Sequence, residues 1–350
     1  MLPDSRIQTK ENKSESESIV EAQLLIERDP AVLITASKSG DIALVQILIA
    51  VKADINARSK YANTALIAAA CEGHTACVQV LLDTKANINA GDYNAVTGLI
   101  AAAGRGHVAC VRVLLDAAPD IDAKNGYGTT ALIAAAFSGH TAILQMLIDT
   151  KANIEAKDLN GFTALIEAAG EGHSACMQVL IDANADMEAH DSGGNTALHR
   201  ASRRGHSACI KILIDAKANL GFKNENGSTA LLRAARYGHD ACVQLLLDAK
   251  ADSEVQDDYG YTALIAAARR GHVACVRVLI DSRANVEACA HRGITPLMMA
   301  AMEDHVECIK VIMAAIYKDI LQYCRCKMRI YSRHLTQTML ELGRNVVSRL

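Results

Sequence analysis

Large aromatic side chains are nearly missing from this sequence. Its 350 residues include no tryptophan and three phenylalanines, and aromatic residues make up 3% of the chain although hydrophobic residues make up 51%. The core must therefore be built from Ala, Leu, Ile, Val and Cys, which supply most of the apolar side chains. Side chains of this size suit short helices that approach one another closely.

An excess of charge of one sign is also missing. The formal net charge is -3 and the pI is about 6.5, which removes any global electrostatic argument for binding nucleic acid or an anionic membrane. No apolar run approaches the roughly 18 residues of a membrane-spanning helix. Attraction to either kind of partner would have to come from a local patch of charge.

Catalytic motifs are absent as well. The sequence contains no phosphate-binding glycine loop, no nucleophile elbow and no pair of catalytic carboxylates in a divergent region. We therefore expect no enzymatic activity, no catalytic residue and no cofactor.

What the chain does contain is an internal repeat with a constant period of 33 residues. The stretch Thr262–Asp281, TALIAAARRGHVACVRVLID, returns in nearly the same form without insertions or deletions. A constant period of this size indicates stacked modules. The threonines that open the eight full repeats are Thr64, Thr97, Thr130, Thr163, Thr196, Thr229, Thr262 and Thr295.

Each repeat is predicted to consist of a short helix, a tight turn, a second short helix and a loop. In the quoted stretch, Leu264, Ala267 and Ala268 have the spacing of one buried helical face, and Gly271 ends the first helix. Both helices are shorter than the roughly 12 to 15 residues that an isolated helix needs in water. A repeat must therefore bury its helices against its neighbours.

Two segments, Thr295-Pro296-Leu297 and Thr196-Ala197-Leu198-His199, are partial versions of the Thr-Pro-Leu-His start of ankyrin repeats, and the chain resembles that family. The resemblance implies an all-α ankyrin-repeat solenoid of helix-turn-helix units with hairpin-like fingers, acting in protein recognition. Most other repeats begin with Thr-Ala-Leu-Ile or a close variant, so the family's hydrogen bond from Thr to His is mostly unavailable.

The loop after the second helix departs from the family, which usually has Gly there, before Ala. If that residue is left-handed, each Lys, Arg or Asn in its place carries strain of about 1 kcal/mol. We therefore predict that Lys85→Gly raises thermal stability. The Lys, Asn and Arg residues at this position are Lys52, Lys85, Lys151, Asn184, Lys217, Lys250 and Arg283.

The fingers are the loops that precede each repeat threonine, such as residues 157–162. A second set of residues, in these fingers, is predicted to need positive φ, because glycine stands two residues before the repeat threonine in six of the eight repeats. Ala62 and Ala95 depart from this rule. The six glycines are Gly128, Gly161, Gly194, Gly227, Gly260 and Gly293.

A Gly-His pair recurs in the repeats, at Gly271-His272 in the quoted stretch. Cysteine has one preferred place in the repeat, three residues after the histidine of this pair. The third full repeat has Ile143 there, so the position requires a modest apolar side chain, and these are core thiols and not a disulfide framework. Eleven cysteines without a recognisable secretory leader favour a reducing location inside the cell, cytoplasmic or nuclear. The repeat cysteines are Cys77, Cys110, Cys176, Cys209, Cys242, Cys275 and Cys308.

A metal site is not expected from the recurring His-x-x-Cys. Zinc needs four ligands that converge on one point, whereas each repeat offers one His and one Cys. We predict instead that each His begins the second helix and hydrogen-bonds backbone in the turn. Cys324, Cys326 and His334 lack a fourth ligand, and chance or lipidation explains them equally well.

The segments that flank the array differ from it in composition. Residues 1–18 lack apolar periodicity and are predicted to be a disordered arm. Residues 19–29 are predicted to form an N-terminal capping helix. The array proper is assigned to residues 30–313, with one divergent first repeat followed by eight full repeats.

Residues 314–350 are predicted to form a basic amphipathic helical extension, because apolar residues recur at spacings of three and four and most other positions hold Lys or Arg. One interpretation is a cap on the last repeat. The other is a helix that docks on a partner or on an anionic membrane surface.

Recognition is expected where the repeats differ at exposed positions. The resemblance assigns a concave surface to the fingers and to the last exposed positions of each first helix. In the fifth to seventh full repeats, Thr196 to Arg270, these positions become rich in arginine, with tyrosines nearby. The predicted partner-binding residues are Arg200, Arg203, Arg204, Arg233, Arg236, Tyr237, Tyr259, Tyr261, Arg269 and Arg270.

Dense, unpaired arginines raise the local positive potential and offer bidentate hydrogen bonds to carboxylate or phosphate. We therefore predict a monomeric, non-enzymatic adaptor or scaffold that binds an acidic or phosphorylated segment of another protein. The alternative for the arginines is a solubilising role, with pairing to Glu225, Asp257 and Asp258. Two other functions stay open: a scaffold that acts through its C-terminal helix, and a nucleic-acid-binding repeat protein, against which the near-neutral charge argues.

Overall fold

The structure is a computed structural model that describes residues 18–322. The predicted disordered arm, apart from Ser18, lies outside the described residues, as do residues 323–350. The chain divides into two compact units, Met1–Asn219 and Leu220–Leu350.

The N-terminal unit is a series of paired short helices joined by loops. Residues 18–28 are helical and are labelled α1, and Ala22 on this helix is 1% exposed. The helices that follow are α2 (Val32–Ser39), α3 (Ile42–Ala50), α4 (Ala65–Glu72), α5 (Thr75–Asp83), α6 (Gly98–Arg105), α7 (Val108–Asp116), α8 (Ala131–Ser138), α9 (Thr141–Asp149), α10 (Ala164–Glu171), α11 (Ser174–Asp182), α12 (Ala197–Arg204) and α13 (Ser207–Asp215).

The C-terminal unit continues the same pattern. Its helices are α14 (Ala230–Tyr237), α15 (Asp240–Asp248), α16 (Ala263–Arg270), α17 (Val273–Asp281), α18 (Pro296–Met302) and α19, the helical residues 306–322. A single 3-10 turn, His291–Gly293, precedes α18. Residues 18–322 contain no β-strand, only isolated bridges such as that between Gly91 and Thr97. The predicted all-α architecture of helix pairs with hairpin-like fingers is confirmed.

The first helix of each repeat begins at the repeat threonine. In α4 the hydroxyl of Thr64 accepts a hydrogen bond from the N–H of Ile67 at 3.3 Å, which satisfies one of the N–H groups that a helix start leaves without a partner. Thr196 differs, because its hydroxyl lies 2.9 Å from Nδ1 of the buried His199. The equivalent threonine caps are Thr97, Thr130, Thr163, Thr229, Thr262 and Thr295.

Within the two units, six of the repeat histidines each connect their repeat to the one before it. His107 begins α7, and its Nε2–H donates to the carbonyl of Cys71 at 2.9 Å. The predicted hydrogen bond to backbone therefore exists, but its acceptor lies in the preceding repeat and not in the histidine's own turn. The same bond joins His74 to Lys38, His173 to Phe137, His206 to Gly170, His272 to Arg236 and His305 to Arg269.

The core of a repeat consists of small and medium apolar side chains from both helices. Leu66 and Ala69 of α4 and Cys77 and Leu81 of α5 are at most 1% exposed. Ile143 is 0% exposed at the position that other repeats give to cysteine. The seven repeat cysteines are buried, free thiols, as predicted.

The loops adopt the left-handed conformations that the sequence predicts. Lys85 has a φ of 66°, and the other six Lys, Asn and Arg residues at its position have φ between 63° and 69°. The six predicted finger glycines have φ between 68° and 80°. Ala62 and Ala95 keep the same turn, with φ of 58° and 55°, so the backbone there does not change to accommodate a Cβ atom.

The last helix bears on the predicted boundary between array and extension. α19 runs through residues 306–322 without a break at 313–314, so the second helix of the last repeat continues into the extension. Most of the apolar residues that recur at spacings of three and four in the predicted extension lie beyond residue 322 and therefore outside the described residues. The domain limits and the role of the extension stay predictions. None of the helices among residues 18–322 has the length and the apolar character that crossing a membrane requires.

Candidate protein-binding surface

The fingers are held in shape by one polar side chain at their base. Asp257 Oδ1 accepts hydrogen bonds from the N–H groups of Tyr259 at 3.0 Å and Tyr261 at 2.9 Å. Asp158 Oδ1 accepts the equivalent pair from Asn160 and Phe162, both at 2.8 Å. This double acceptance closes a turn in the way typical of Asp and Asn. It fixes where the finger side chains point.

Arg200 in the N-terminal unit is fixed by a buried carboxylate of its own finger. Its Nη2 lies 2.5 Å from Asp191 Oδ2, with side-chain exposures of 23% for Arg200 and 2% for Asp191. The guanidinium carbon also lies 4.3 Å from the ring centroid of Phe162 in the preceding finger. Burial alone would raise the pKa of Asp191, but hydrogen bonds from the N–H of Asn195 and from Arg200 outweigh burial and hold that pKa below its ordinary value.

Arg236 in the C-terminal unit makes a similar pair in the opposite direction along the chain. Its Nη2 lies 2.7 Å from Oδ2 of Asp257 in the following finger, and the Asp257 side chain is 1% exposed. The premise that the predicted arginines are unpaired is therefore wrong for Arg200 and Arg236. Both hold buried carboxylates that would otherwise lack a counter-ion.

Two other arginines form exposed pairs with glutamates. Arg204 Nη1 lies 3.1 Å from Oε2 of Glu171, and the arginine side chain is 52% exposed. Arg269 Nε lies 3.7 Å from Oε1 of Glu303, with exposures of 43% and 47%. Exposed pairs of this kind contribute about 0 to 1 kcal/mol. Their guanidinium groups remain accessible to a ligand.

The ends of the first helices carry the remaining predicted arginines. Arg203 and Arg270 are exposed, and Arg270 forms no ion pair with any residue between 18 and 322. Arg233 is partly exposed. Arg200 in the N-terminal unit contacts finger residues, as do Arg236 and Arg269 in the C-terminal unit. Each of these arginines therefore lies where a first helix meets a finger of its own unit.

The acids that pair with the arginines were only partly identified from the sequence. Asp257 pairs with Arg236, whereas Glu225 and Asp258 form no ion pair within the described part of the chain. The partners that sequence reasoning missed are Asp191, Glu171 and Glu303. The sequence contains a signal that points to Asp191 as a partner, since Asp191 and Asp257 occupy the same finger position, two repeats apart.

The predicted tyrosines lie beside the arginines of the C-terminal unit. The ring centroids of Tyr259 and Tyr261 are 6.0 Å apart with an interplanar angle of 25°. The guanidinium carbon of Arg269 is 5.4 Å from the Tyr261 ring centroid, within cation–π range. Tyr259 is 59% exposed and Tyr237 is 40% exposed.

Because of Glu167, the surface of the N-terminal unit carries negative as well as positive side chains. Glu167 occupies the repeat position of Arg200 and is partly exposed. Burial, followed by the Asp158 and Glu171 carboxylates, raises the pKa of Glu167, and Arg200 and Arg204 offset part of this effect. A carboxylate, opposite in charge to arginine, thus stands where the neighbouring repeat has Arg200.

The repeat histidines and cysteines do not assemble a metal site in residues 18–322, where no three His, Cys, Asp or Glu side chains are placed to hold an ion. Burial raises the pKa of Cys209 and Cys242 to about 11 and that of Cys275 to about 12, so these thiols stay protonated at neutral pH. Cys324, Cys326 and His334 lie outside the described residues.

Comparison with known families agrees with this architecture. A family model of ankyrin repeats in three copies matches residues 33–125, 118–191, 176–257 and 231–323. Since these matches together cover most of the sequence, the chain belongs to the ankyrin repeat family. Ankyrin repeats are protein–protein interaction modules. No curated protein sequence matches the chain.

Proposed function

We propose that this protein is a non-enzymatic adaptor or scaffold that binds an acidic or phosphorylated segment of another protein. The exposed arginines that end the first helices would make the contact. The observation that carries the proposal is the exposure of Arg203, Arg204, Arg269 and Arg270 at the last two positions of α12 and α16. At these two positions the earlier repeats have Cys71 and Glu72, Gly104 and Arg105, Phe137 and Ser138, and Gly170 and Glu171.

The ten predicted residues then divide into two roles. Arg200 and Arg236 are engaged by buried carboxylates and position the fingers. Arg203, Arg204, Arg269 and Arg270, together with Arg233, Tyr237, Tyr259 and Tyr261, remain the proposed contact residues.

The energetics favour an anionic ligand. The exposed pairs of Arg204 with Glu171 and of Arg269 with Glu303 contribute only about 0 to 1 kcal/mol each. A carboxylate or phosphate that replaced Glu171 or Glu303 would therefore lose little and gain bidentate contacts.

A reversal of charge at single arginines tests the proposal. The probe is a fluorescent pool of degenerate peptides with three fixed glutamates, applied to the immobilised full chain. Arg203→Glu and Arg270→Glu should each reduce peptide retention at least fivefold, with the melting temperature unchanged, because exposed substitutions usually alter stability by less than about 0.5 kcal/mol. Arg236→Glu is unsuitable here, since it would place a second carboxylate beside buried Asp257.

Arg105→Glu is the matched control, because Arg105 is exposed and occupies the same repeat position as Arg270. It should leave retention unchanged. Equal losses for Arg105→Glu and Arg270→Glu would show only general charge attraction and would contradict the proposal. Stronger retention of a random DNA duplex than of the peptides, lost steeply with salt, would favour the nucleic-acid alternative.

A further inference from the structure

The last repeat exposes a side-chain position that the seven other full repeats bury. The position lies three residues after the repeat threonine, and Met298, which fills it in α18, is 54% exposed. In α16 the same position holds Ile265, which is 0% exposed and packs with Ala290 and Met299 of the following repeat. The position is thus covered wherever a further repeat follows. The residues at this position in the remaining six repeats, each at most 5% exposed, are Ile67, Ile100, Ile133, Ile166, His199 and Leu232.

Ala301 and Met302 extend the open area along α18. They lie three and four residues after Met298, a spacing that places all three side chains on one helix face. Ala301 is exposed, whereas Ala268 at the same position in α16 is 0% exposed. Met302 is 69% exposed. This face of α18 is therefore apolar and open.

Val306 adds the start of α19 to this open area. It occupies the repeat position of Thr75, whose Oγ1 lies 3.3 Å from Sγ of Cys110 in the following repeat. Val306, by contrast, is 56% exposed. An exposed apolar patch of this kind marks a site where another segment or molecule packs. We call Met298, Ala301, Met302 and Val306 the terminal face.

The chain that continues from α19 starts close enough to reach the terminal face. α19 runs to residue 322, whereas the second helix of the preceding repeat, α17, ends at Asp281, which corresponds to Ala314. At 1.5 Å per residue, residues 315–322 carry the chain about 12 Å past the end of a repeat. An extended chain returns over this distance in about four residues, at roughly 3.3 Å each. Most of residues 323–350 is then left to lie on the face.

The composition of residues 323–350 matches the last repeat in both hydrophobicity and charge. Apolar residues recur at spacings of three and four, the pattern of a helix with one apolar side. These residues are Met328, Tyr331, Leu335, Met339, Leu342 and Val346. The segment has an excess of cations, with Arg325, Lys327, Arg329, Arg333, Arg344 and Arg349 against Glu341. Residues 295–322 have the opposite excess, with Glu303, Asp304, Glu307 and Asp319 against Lys310 and Lys318.

We infer that residues 323–350 fold back and cover the terminal face. Their apolar side would pack on the terminal face, and their cations would lie near the acids of the last repeat. Covalent attachment gives a tethered segment an effective concentration on the order of millimolar, which favours it over a separate partner. The inference goes beyond the proposed function, because it does not depend on the arginines of α12 and α16. It assigns the extension to the array as a cap and not to a separate partner as a docking helix.

Oxidation of methionine to its sulfoxide by hydrogen peroxide tests the inference in the unmodified full chain. Met298 is more exposed than the half-buried Met187 of the N-terminal unit, so an uncovered Met298 would be oxidised faster than Met187. We expect the reverse, with Met298 at least fivefold slower by peptide mass spectrometry. A Met298 rate equal to or above that of Met187 would overturn the inference. Protection that is lost on dilution would assign the face to a second copy of the chain and would overturn it as well.

Charged substitutions within the segment test whether its apolar residues make the contact. Leu335→Glu with Met339→Glu should raise the Met298 oxidation rate at least fivefold and leave the Met187 rate unchanged. Thr336→Glu with Gln337→Glu is the matched control, because it adds the same charge to the same segment outside the apolar spacing. It should change the Met298 rate less than twofold. An equal rise in both double variants would contradict apolar packing on the terminal face.

A chain that ends at Gln322 should show the same rise in the Met298 rate. Met299, which is 4% exposed beside Met298, reports whether the last repeat stays folded. An unchanged Met298 rate in a folded truncated chain would overturn the inference. The full-length double variants give the answer where truncation unfolds the last repeat.

Discussion

The guanidinium of Arg236 lies 2.7 Å from the carboxylate of Asp257, whose side chain is 1% exposed. Asp257 also accepts the N–H groups of Tyr259 and Tyr261. One buried carboxylate thus connects the end of α14 to the finger that carries Tyr259 and Tyr261. The arginine of this pair contributes to the position of the finger.

Removal of Arg236 should therefore destabilise the protein. We expect Arg236→Ala to lower the free energy of unfolding by about 1 to 3 kcal/mol, because it leaves a buried charge without its counter-ion. Urea denaturation monitored by circular dichroism measures the change.

Asp257→Asn in the Arg236→Ala background should recover most of that loss. Asn keeps the acceptor oxygen and removes the charge, and Asn224 already fills the equivalent finger position with bonds to Asn226 and Ser228. A double variant as unstable as Arg236→Ala would show that packing of the arginine, not charge, stabilises the finger.

Lys85→Gly should raise the free energy of unfolding by about 0.5 to 1 kcal/mol. Lys85 has a φ of 66°, a conformation that costs a residue with a Cβ atom roughly 1 kcal/mol relative to glycine. Thermal denaturation measures the change. Lys211→Gly, in the middle of α13 and exposed, should instead lower stability by about 1 kcal/mol, and a loss of stability in both variants would contradict the strain argument.

The Gly-His pair should show strong coupling between repeats. A Cβ atom at Gly73 would lie 2.6 Å from Nδ1 of His107, and Gly73 has a φ of 81°. Gly73→Ala should therefore cost at least 2 kcal/mol, from strain and overpacking together.

Removal of the His107 imidazole should relieve the overpacking at Gly73→Ala but not the strain that comes from the positive φ. In a double-mutant cycle measured by urea denaturation, Gly73→Ala with His107→Ala should be more stable than the sum of the two single changes predicts, by at least 0.5 kcal/mol. Additive effects would mean that the glycine is required for its φ and not for the space it leaves.

Much of the fold followed from the sequence because it is set by local chemistry at a fixed spacing. Thr64 as a helix cap, Gly73 as a helix end and Lys85 in a left-handed turn each depend on a few neighbouring residues. Residue type alone is enough to predict such features.

The acceptor of the repeat histidine could have been inferred from the two ends of the array. The divergent first repeat has Asp41 in place of histidine, and Asp41 caps α3 by accepting the N–H of Leu44. The last repeat has Asp304 in place of the glycine, with a φ of 56°. The first repeat, which no full repeat precedes, thus lacks the histidine. The last repeat, which no repeat follows, lacks the glycine. This pattern indicates a contact between repeats.

The ion pairs of the candidate surface could not be predicted in the same way. Arg200 pairs backward with Asp191 in its own finger, whereas Arg236 pairs forward with Asp257 in the next finger. Which finger an arginine reaches depends on how the side chains pack across the stack. That packing decides which arginines remain available for a partner.

Glu167 should reduce the stability of the protein at neutral pH. Its contribution to stability should depend on pH in the opposite direction to that of Asp191. The pKa of Glu167 is raised by burial and by the nearby Asp158 and Glu171 carboxylates. A carboxyl group with a raised folded-state pKa binds a proton more tightly in the folded state, so its contribution to stability falls as pH rises from the unfolded value of about 4.3 through the folded pKa. We expect Glu167→Gln to raise the free energy of unfolding at pH 7 by on the order of 0.5 kcal/mol, since solvent screens a partly exposed group, and to raise it less at pH 4.

Asp191→Asn, in the same unit, should change stability in the opposite direction, because the pKa of Asp191 is lowered. It should lower stability at pH 7, and the difference from wild type should shrink as pH falls below about 3.9 and the wild-type carboxylate takes up its proton. Urea titrations between pH 3 and pH 7 compare the two variants with the wild type. If Glu167→Gln lowered stability at pH 7, the glutamate would be stabilised by Arg200 and Arg204 more than it is destabilised by its acidic neighbours, and the N-terminal surface would have to be treated as a balanced ion network.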